Sequence, residues 1–125
     1  MNFAEARPAL ERAWNCRLTT IGRKSGEPRR VTIWFAIDGD DIVLAGSPEP
    51  PHWRRNLAAN PDATLEIAGF RLRGRARIVD DEAQAEAIRL CIVRRYVAAR
   101  LSRPFGGYTR SSTVRIAIDR VERIA

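Results

Sequence analysis

Apolar side chains recur along this chain with two periods, and the switches between them mark the elements. Phe3, Ala6, Leu10 and Trp14 fall near helical spacing and predict an N-terminal helix over residues 3–14. The internal Pro8 places its regular part from about residue 8. Residues 16–21 (CRLTTI) are rich in β-branched side chains and predict a strand, ended by the Gly- and Pro-punctuated turn GRKSGEP at 22–28. Residues 29–37 predict a second strand, with Val31, Ile33, Phe35 and Ile37 alternating toward one face. Asp38-Gly39-Asp40 is a tight hairpin signal before a third strand at 41–46. The loop SPEPP (47–51) leads into a short helix at 52–60, bracketed by Pro51 and Pro61. Strands at 63–69 and 70–79 pair through a turn at Ala68-Gly69. One long helix is predicted over 80–101, with Asp80 as N-cap, acids in its first turn and arginines at its far end. RPFGG at 103–107 breaks it, and a sixth strand at 112–121 carries Val114, Ile116 and Ile118 on one face.

Six hairpin-linked strands with few helices predict a mainly β fold with helices (α+β), a small barrel under helical cover. Closing the sheet removes exposed edges. The expected organisation is a single domain over 1–125: an N-terminal helix (1–15), a barrel core (16–79), the long helix (80–101) and the closing strand (112–121). At 125 residues and 45% hydrophobic content, global disorder is excluded. No stretch is apolar enough to span a membrane, and the first residues lack a secretory h-region, so the expected compartment is the cytoplasm. Cys16 and Cys91, with a lone His52, make neither a disulfide framework nor a transition-metal pattern.

Charge changes the picture. The chain carries 22 Lys and Arg against 15 Asp and Glu, a net +7, and Lys24 is its single lysine. An anionic partner follows: nucleic acid, a membrane surface or a phosphorylated small molecule. Gly22-Arg23-Lys24-Ser25-Gly26-Glu27-Pro28-Arg29-Arg30 lacks the spacing of a Walker A loop. It still offers a Gly-bounded turn, a hydroxyl and four cations, a set that suits phosphate and equally suits a solvated hairpin turn. Trp53 and Asn56 share one helical face. They are either a flat wall with a polar amide or a packing anchor with a local cap. Arg71, Arg73, Arg75 and Arg77 alternate along one strand and need solvent, acids or an anion. A nucleic-acid barrel is disfavoured, because only Phe70 flanks that stripe and base stacking needs interleaved aromatics. No Ser/His/Asp, Cys/His or paired-carboxylate arrangement is present for hydrolysis; His52 alone is a weak proton donor.

Leu18 to Arg29, a strand ending in Asp38-Gly39-Asp40, and Trp53 to Pro61 together resemble the deazaflavin-dependent nitroreductases. These belong to the flavin/deazaflavin oxidoreductases with the split β-barrel of pyridoxamine-phosphate oxidase. The resemblance covers roughly residues 16–79 and implies a six-stranded split barrel that binds coenzyme F420. By resemblance, Arg23, Lys24, Ser25, Gly26 and Arg29 take the phosphate side. Trp53 and Asn56, with backbone from Ala45 through Gly46 to Ser47, line the other flank. The implied chemistry is hydride transfer between the deazaflavin and a quinone, nitro compound or enone, carried by the cofactor and positioned by the protein. FMN, a non-catalytic cofactor carrier, and pairing of two copies into a homodimer remain within what the resemblance implies. The family's later tyrosines have only Tyr96 and Tyr108 as candidate matches.

Overall fold

The computed structural model describes residues 1–124. Its elements run α1 (Phe3–Arg12), β1 (Cys16–Ile21), β2 (Pro28–Ile33), β3 (Ala36–Asp38), β4 (Asp41–Gly46), α2 (His52–Ala59), β5 (Asp62–Ile67), β6 (Phe70–Val79), α3 (Glu82–Arg95), α4 (Val97–Ser102), a 3-10 turn (Arg103–Phe105) and β7 (Ser112–Arg123). All seven strands lie in one antiparallel sheet, ordered β2-β1-β5-β6-β7-β4-β3.

That order dictates closure. β2 and β3 stand at opposite ends of the sheet, yet only Trp34 and Phe35 separate them in the chain. Three residue steps span at most about 11 Å. The two outer strands must therefore meet, and the sheet curls into a barrel whose seam is covalent rather than hydrogen-bonded. This is the predicted split barrel with one more strand than expected. The alternation from Val31 to Ile37 runs through the seam without a break, but the backbone leaves one edge at Trp34 and joins the other at Ala36.

The second departure is in the long helix. It breaks at Tyr96 (φ −115°, ψ 123°), dividing α3 from α4. Its N-cap is Asp81, whose carboxylate accepts from the Gln84 N–H at 3.0 Å; Asp80 instead pairs with Arg54. At the N-terminus, the Asn2 side chain caps α1 by accepting from the Glu5 N–H (2.9 Å), so the helix begins five residues before Pro8 and runs through it. Trp14 lies past the end of α1 and is 69% exposed, contrary to its expected place on the apolar face.

Two apolar layers hold the fold. Leu18, Phe35, Ile42, Leu44, Leu65, Leu72, Val114 and Ile116 fill the barrel, with Leu10 of α1 and Trp53 and Leu57 of α2 packed on the same cluster. Ile88, Ile92 and Val93 of α3, with Tyr96, pack against Ala36, Val43 and Val79 as a second layer. β4 is covered on both sides, Ile42 and Leu44 inward and Val43 outward, which is why its sequence is a continuous apolar run. Arg95 ties the layers together: its Nη2 donates to the carbonyl of Leu10 (3.0 Å), which also accepts from the Ala13 N–H (3.2 Å), and to that of Ala13 (2.5 Å) at the end of α1.

The arginine stripe on β6 is answered by acids. Arg71 pairs with Glu66 and Glu122, Arg73 with Glu122 and Arg75 with Asp62, while Arg77 donates to Gln84. Cross-strand register sets these pairs, since Arg71 lies opposite Glu66 on β5 and Glu122 on β7.

Candidate functional site

The β1–β2 connection is a rigid bend. The Gly22 N–H donates to the Glu27 carbonyl and the Gly26 N–H to the Gly22 carbonyl, both at 2.8 Å. Gly26 adopts φ 73°, a conformation that disfavours any side chain. Ser25 Oγ accepts from the Glu27 N–H (3.1 Å) and from Arg29 Nη2 (3.2 Å).

Helix α2 fixes this bend from below. Asn56 is 4% exposed. Its Oδ1 accepts from the Arg23 backbone N–H (3.1 Å) and from Arg23 Nη1 (2.9 Å), and its Nδ2 donates to Thr20 Oγ1 (3.2 Å). Asn56 is neither a local cap nor a free amide; it clamps the bend to the barrel. Arg23 Nη2 lies 3.2 Å from His52 Nδ1. Arginine can only donate, so Nδ1 is the acceptor in this contact.

Above the clamp lies a cavity of about 400 Å³. Arg23, Lys24, Ser25 and Arg29 line it, as do His52, Trp53 and Asn56. Gly26 shapes the bend without lining the cavity. Thr20, which the sequence reading missed, and Arg30, which it counted among the four cations of the turn without assigning it to the cofactor, also border it; the strand register places them within reach, Thr20 pairing with Arg29 and Thr19 with Arg30. Among the described residues, no carboxylate pairs with Arg23, Lys24, Arg29 or Arg30. The contrast with β6 is chemical. On β6, Arg71, Arg73 and Arg75 have acidic partners; among the described residues the four cations at this concavity have none, Arg23 bonding to Asn56 and His52 and Arg29 to Ser25.

Trp53 also walls a second cavity, of about 510 Å³. Ala45, Gly46 and Ser47 line this one, so the predicted residues divide between two adjoining spaces that share Trp53. Gly46 is required there: a Cβ would stand 2.9 Å from Pro51 Cγ and 3.0 Å from Trp53 Cζ2. Ser47 is pinned from β7, its carbonyl accepting from Ser112 Oγ at 2.7 Å. Trp34 and Tyr108 complete the wall, and the lining holds no residue charged at neutral pH.

The two tyrosines separate. Tyr96 lines neither cavity. It is 2% exposed, and its hydroxyl donates to the Trp14 carbonyl (2.8 Å) and accepts from the Phe35 N–H (3.2 Å), a structural role. Tyr108 borders the second cavity with a left-handed backbone (φ 57°). Burial, with a smaller contribution from Tyr96, pushes its hydroxyl above the ordinary tyrosine range, so it stays protonated and able to donate.

A cationic cradle beside an uncharged, flat-walled space fits a molecule with an anionic arm and a neutral planar head. Comparison with known proteins bears on the family and the fold. The family model of the F420H(2)-dependent quinone reductases matches residues 7–104. An F420H(2)-dependent quinone reductase of Mycobacterium tuberculosis H37Rv is 37% identical over 54 residues, which are 40% of this chain and 36% of that protein. The chain therefore spans little more than a third of the length of the curated relatives it matches. Among solved structures, a conserved hypothetical protein of Mycobacterium tuberculosis superposes with a TM-score of 0.79 at 21% identity, over 97% of this chain and 82% of the other. An F420 reductase superposes with a TM-score of 0.73 at 23% identity (93% and 94%), and a candidate pyridoxamine 5'-phosphate oxidase from Listeria innocua with 0.73 at 17% (98% and 97%). These likenesses carry the fold. The extent of the family match settles the lineage: this chain belongs to the F420H(2)-dependent quinone reductase family, on the split β-barrel of pyridoxamine-phosphate oxidase.

Proposed function

We propose that the chain binds coenzyme F420 and serves its reduced form in hydride transfer to an electron-poor acceptor of the quinone class. The observation that carries this reading is the group of four unpaired cations, Arg23, Lys24, Arg29 and Arg30, around a cavity that adjoins an uncharged one across Trp53. Lys24, Arg29 and Arg30 are exposed and Arg23 is half-buried; crowding like charges without a counterion is unfavourable, and an anionic ligand would relieve it.

In this reading Arg23, Lys24, Arg29 and Arg30 neutralise the phosphorylated arm, and the Ser25 hydroxyl adds a neutral donor. Asn56 holds Arg23 in place before any ligand arrives, which lowers the ordering cost of binding. Trp53 and the Gly46 backbone offer a flat wall for a planar ring. When bound, the deazaflavin supplies the hydride. Tyr108 holds a proton at its hydroxyl beside the uncharged cavity, where it can donate to an acceptor oxygen. His52 is committed to Arg23 and orients that guanidinium.

The test is a side-by-side titration of the apo chain with F420 and with FMN, followed by ligand fluorescence. Micromolar or tighter F420 binding, about −8 kcal/mol or more favourable, is expected. Binding of FMN alone would move the assignment to flavin; binding of neither would overturn it. A carrier without turnover would bind F420 yet leave its reduced form unoxidised with any quinone supplied.

A further inference from the structure

We propose that His52 is a fifth, proton-dependent ligand of the anionic arm: the ring is neutral while the cradle is empty and protonated once an anion fills it, so binding takes up a proton. The inference deepens the function proposed above and rests on it for the identity of the arm. His52 is the single histidine of the chain. It opens α2, is exposed, and lines the cavity with Arg23, Lys24, Arg29 and Arg30. Imidazole is the side chain whose charge changes near neutral pH. Its Nδ1 accepts from Arg23 Nη2 at 3.2 Å. A protonated ring has donors on both nitrogens, and a guanidinium only donates. The ring can keep this contact or hold the extra proton, but not both.

The way Arg23 is held decides what an anion does. Its backbone N–H and Nη1 are both fixed on Asn56 Oδ1, which leaves Nη2 with His52 as its partner. An anionic oxygen is a stronger acceptor than a neutral imidazole nitrogen, so an arm in the cavity takes over Nη2. Nδ1 is then released, and the opposite charge beside the ring favours its charged form. The surroundings act in the same direction. In the empty cavity the ring faces Arg23 and Lys24 of the turn and Arg29 and Arg30 of β2, and these oppose a fifth charge. Glu27 of the turn lies outside the lining. On α2 itself, Arg54 is paired with Asp80 and Arg55 with Glu49. β1 presents the neutral Thr20 to the cavity, and β6, which also packs on α2, contributes nothing to its lining. Among the described residues, no carboxylate pairs with His52. A charge on the ring therefore gains its counterion only with the ligand. Because the filled site holds the proton more firmly, linkage requires anion affinity to rise as pH falls.

The experiment follows the ring signal of the single histidine by proton NMR from about pH 5.5 to about pH 8.5. Three solutions are compared: chloride, sulfate at matched ionic strength, and saturating F420. Sulfate stays a dianion throughout this range, so a change in proton binding belongs to the chain. The signal is expected to change over at higher pH in sulfate and with F420 than in chloride. Sulfate binding, read from the same spectra, should be about tenfold tighter at the acidic end than at the alkaline end. His52→Gln still offers Arg23 an amide oxygen but cannot gain the proton. Its sulfate affinity should vary by no more than about twofold over the same range. A role limited to orienting Arg23 gives one change-over in all three solutions and the same pH dependence in parent and variant; either result overturns the proposal. A shift in sulfate without any F420 binding upholds the proton uptake and refutes the coenzyme reading. F420 binding without a shift does the reverse.

Discussion

Asn56→Ala removes the clamp beneath the cationic bend, and its consequences can be worked out from the contacts. The substitution deletes one oxygen that accepts twice from Arg23 and one N–H₂ that donates to Thr20. Thr20 is 1% exposed, so its hydroxyl is left without solvent as a substitute partner. The Arg23 side chain is half-buried and can turn to water, and its backbone N–H regains some hydration. A buried group left unsatisfied costs about 1–3 kcal/mol, and each lost hydrogen bond about 1. Together these give about 2–4 kcal/mol, or roughly 10 °C in melting temperature for a domain of this size. The ligand effect is separate. With the bend no longer pre-set, Arg23 must be ordered on binding, and immobilising one long side chain costs about 1 kcal/mol. F420 affinity should therefore fall by about fivefold at a temperature where the variant is folded. Thermal melts and fluorescence titration measure the two effects. A melting point within 2 °C of the parent would refute the clamp, as would a large loss of stability with no change in affinity refute its role in preparing the site.

Tyr96→Phe keeps the ring stacked on Trp34 and removes the hydroxyl between Trp14 and Phe35. A stability loss of about 1–3 kcal/mol is expected with little change in F420 affinity; a collapse of turnover in a folded variant would return Tyr96 to the chemistry. Burial raises the Cys16 thiol from 9.0 to about 12, against an opposing effect of Arg95, and Cys91 is raised less. The folded chain therefore retains a proton at Cys16 that the unfolded chain loses above pH 9. Stability falls as pH rises from about 9 toward 12, by at most about 1.4 kcal/mol per unit from this group. Iodoacetamide on the native chain at pH 8, read by intact mass, should add at Cys91 and spare the buried Cys16; two adducts without unfolding would contradict this.

What was legible in the sequence was local. The bend at 22–28 announces itself by its glycines, and helix α2 by the prolines on either side. The turn at Ala68-Gly69 has both residues at positive φ, as a two-residue hairpin requires. What escaped was set by tertiary contacts. Nothing in VTIWFAI marks a strand that changes sheet edge at Trp34, because closure is dictated by pairings with residues far along the chain. Nothing near Tyr96 forbids helix; the break follows from an anchor to Trp14 and Phe35, distant in sequence. Asn56 could be placed on the right helical face, but its partner Arg23 is 33 positions away. Arg30 was visible as a cation, but only the register with β1 brings it to the cavity. The β6 arginines carried the strongest periodic signal, and the fold neutralises Arg71, Arg73 and Arg75 with Glu66, Glu122 and Asp62, while Arg77 donates to Gln84.

The central claim is about where positive charge is left unanswered, not how much the chain carries. Two variants of equal net charge separate these: Arg23→Ala with Lys24→Ala at the cavity, and Arg73→Ala with Arg75→Ala on the barrel exterior. Each cavity cation contributes about 1.5 kcal/mol or more to an anionic arm, so the first pair should weaken F420 binding about 100-fold at physiological salt. The second should leave the titration curve where it was. Equal weakening by both pairs, or none by the first, would contradict the account.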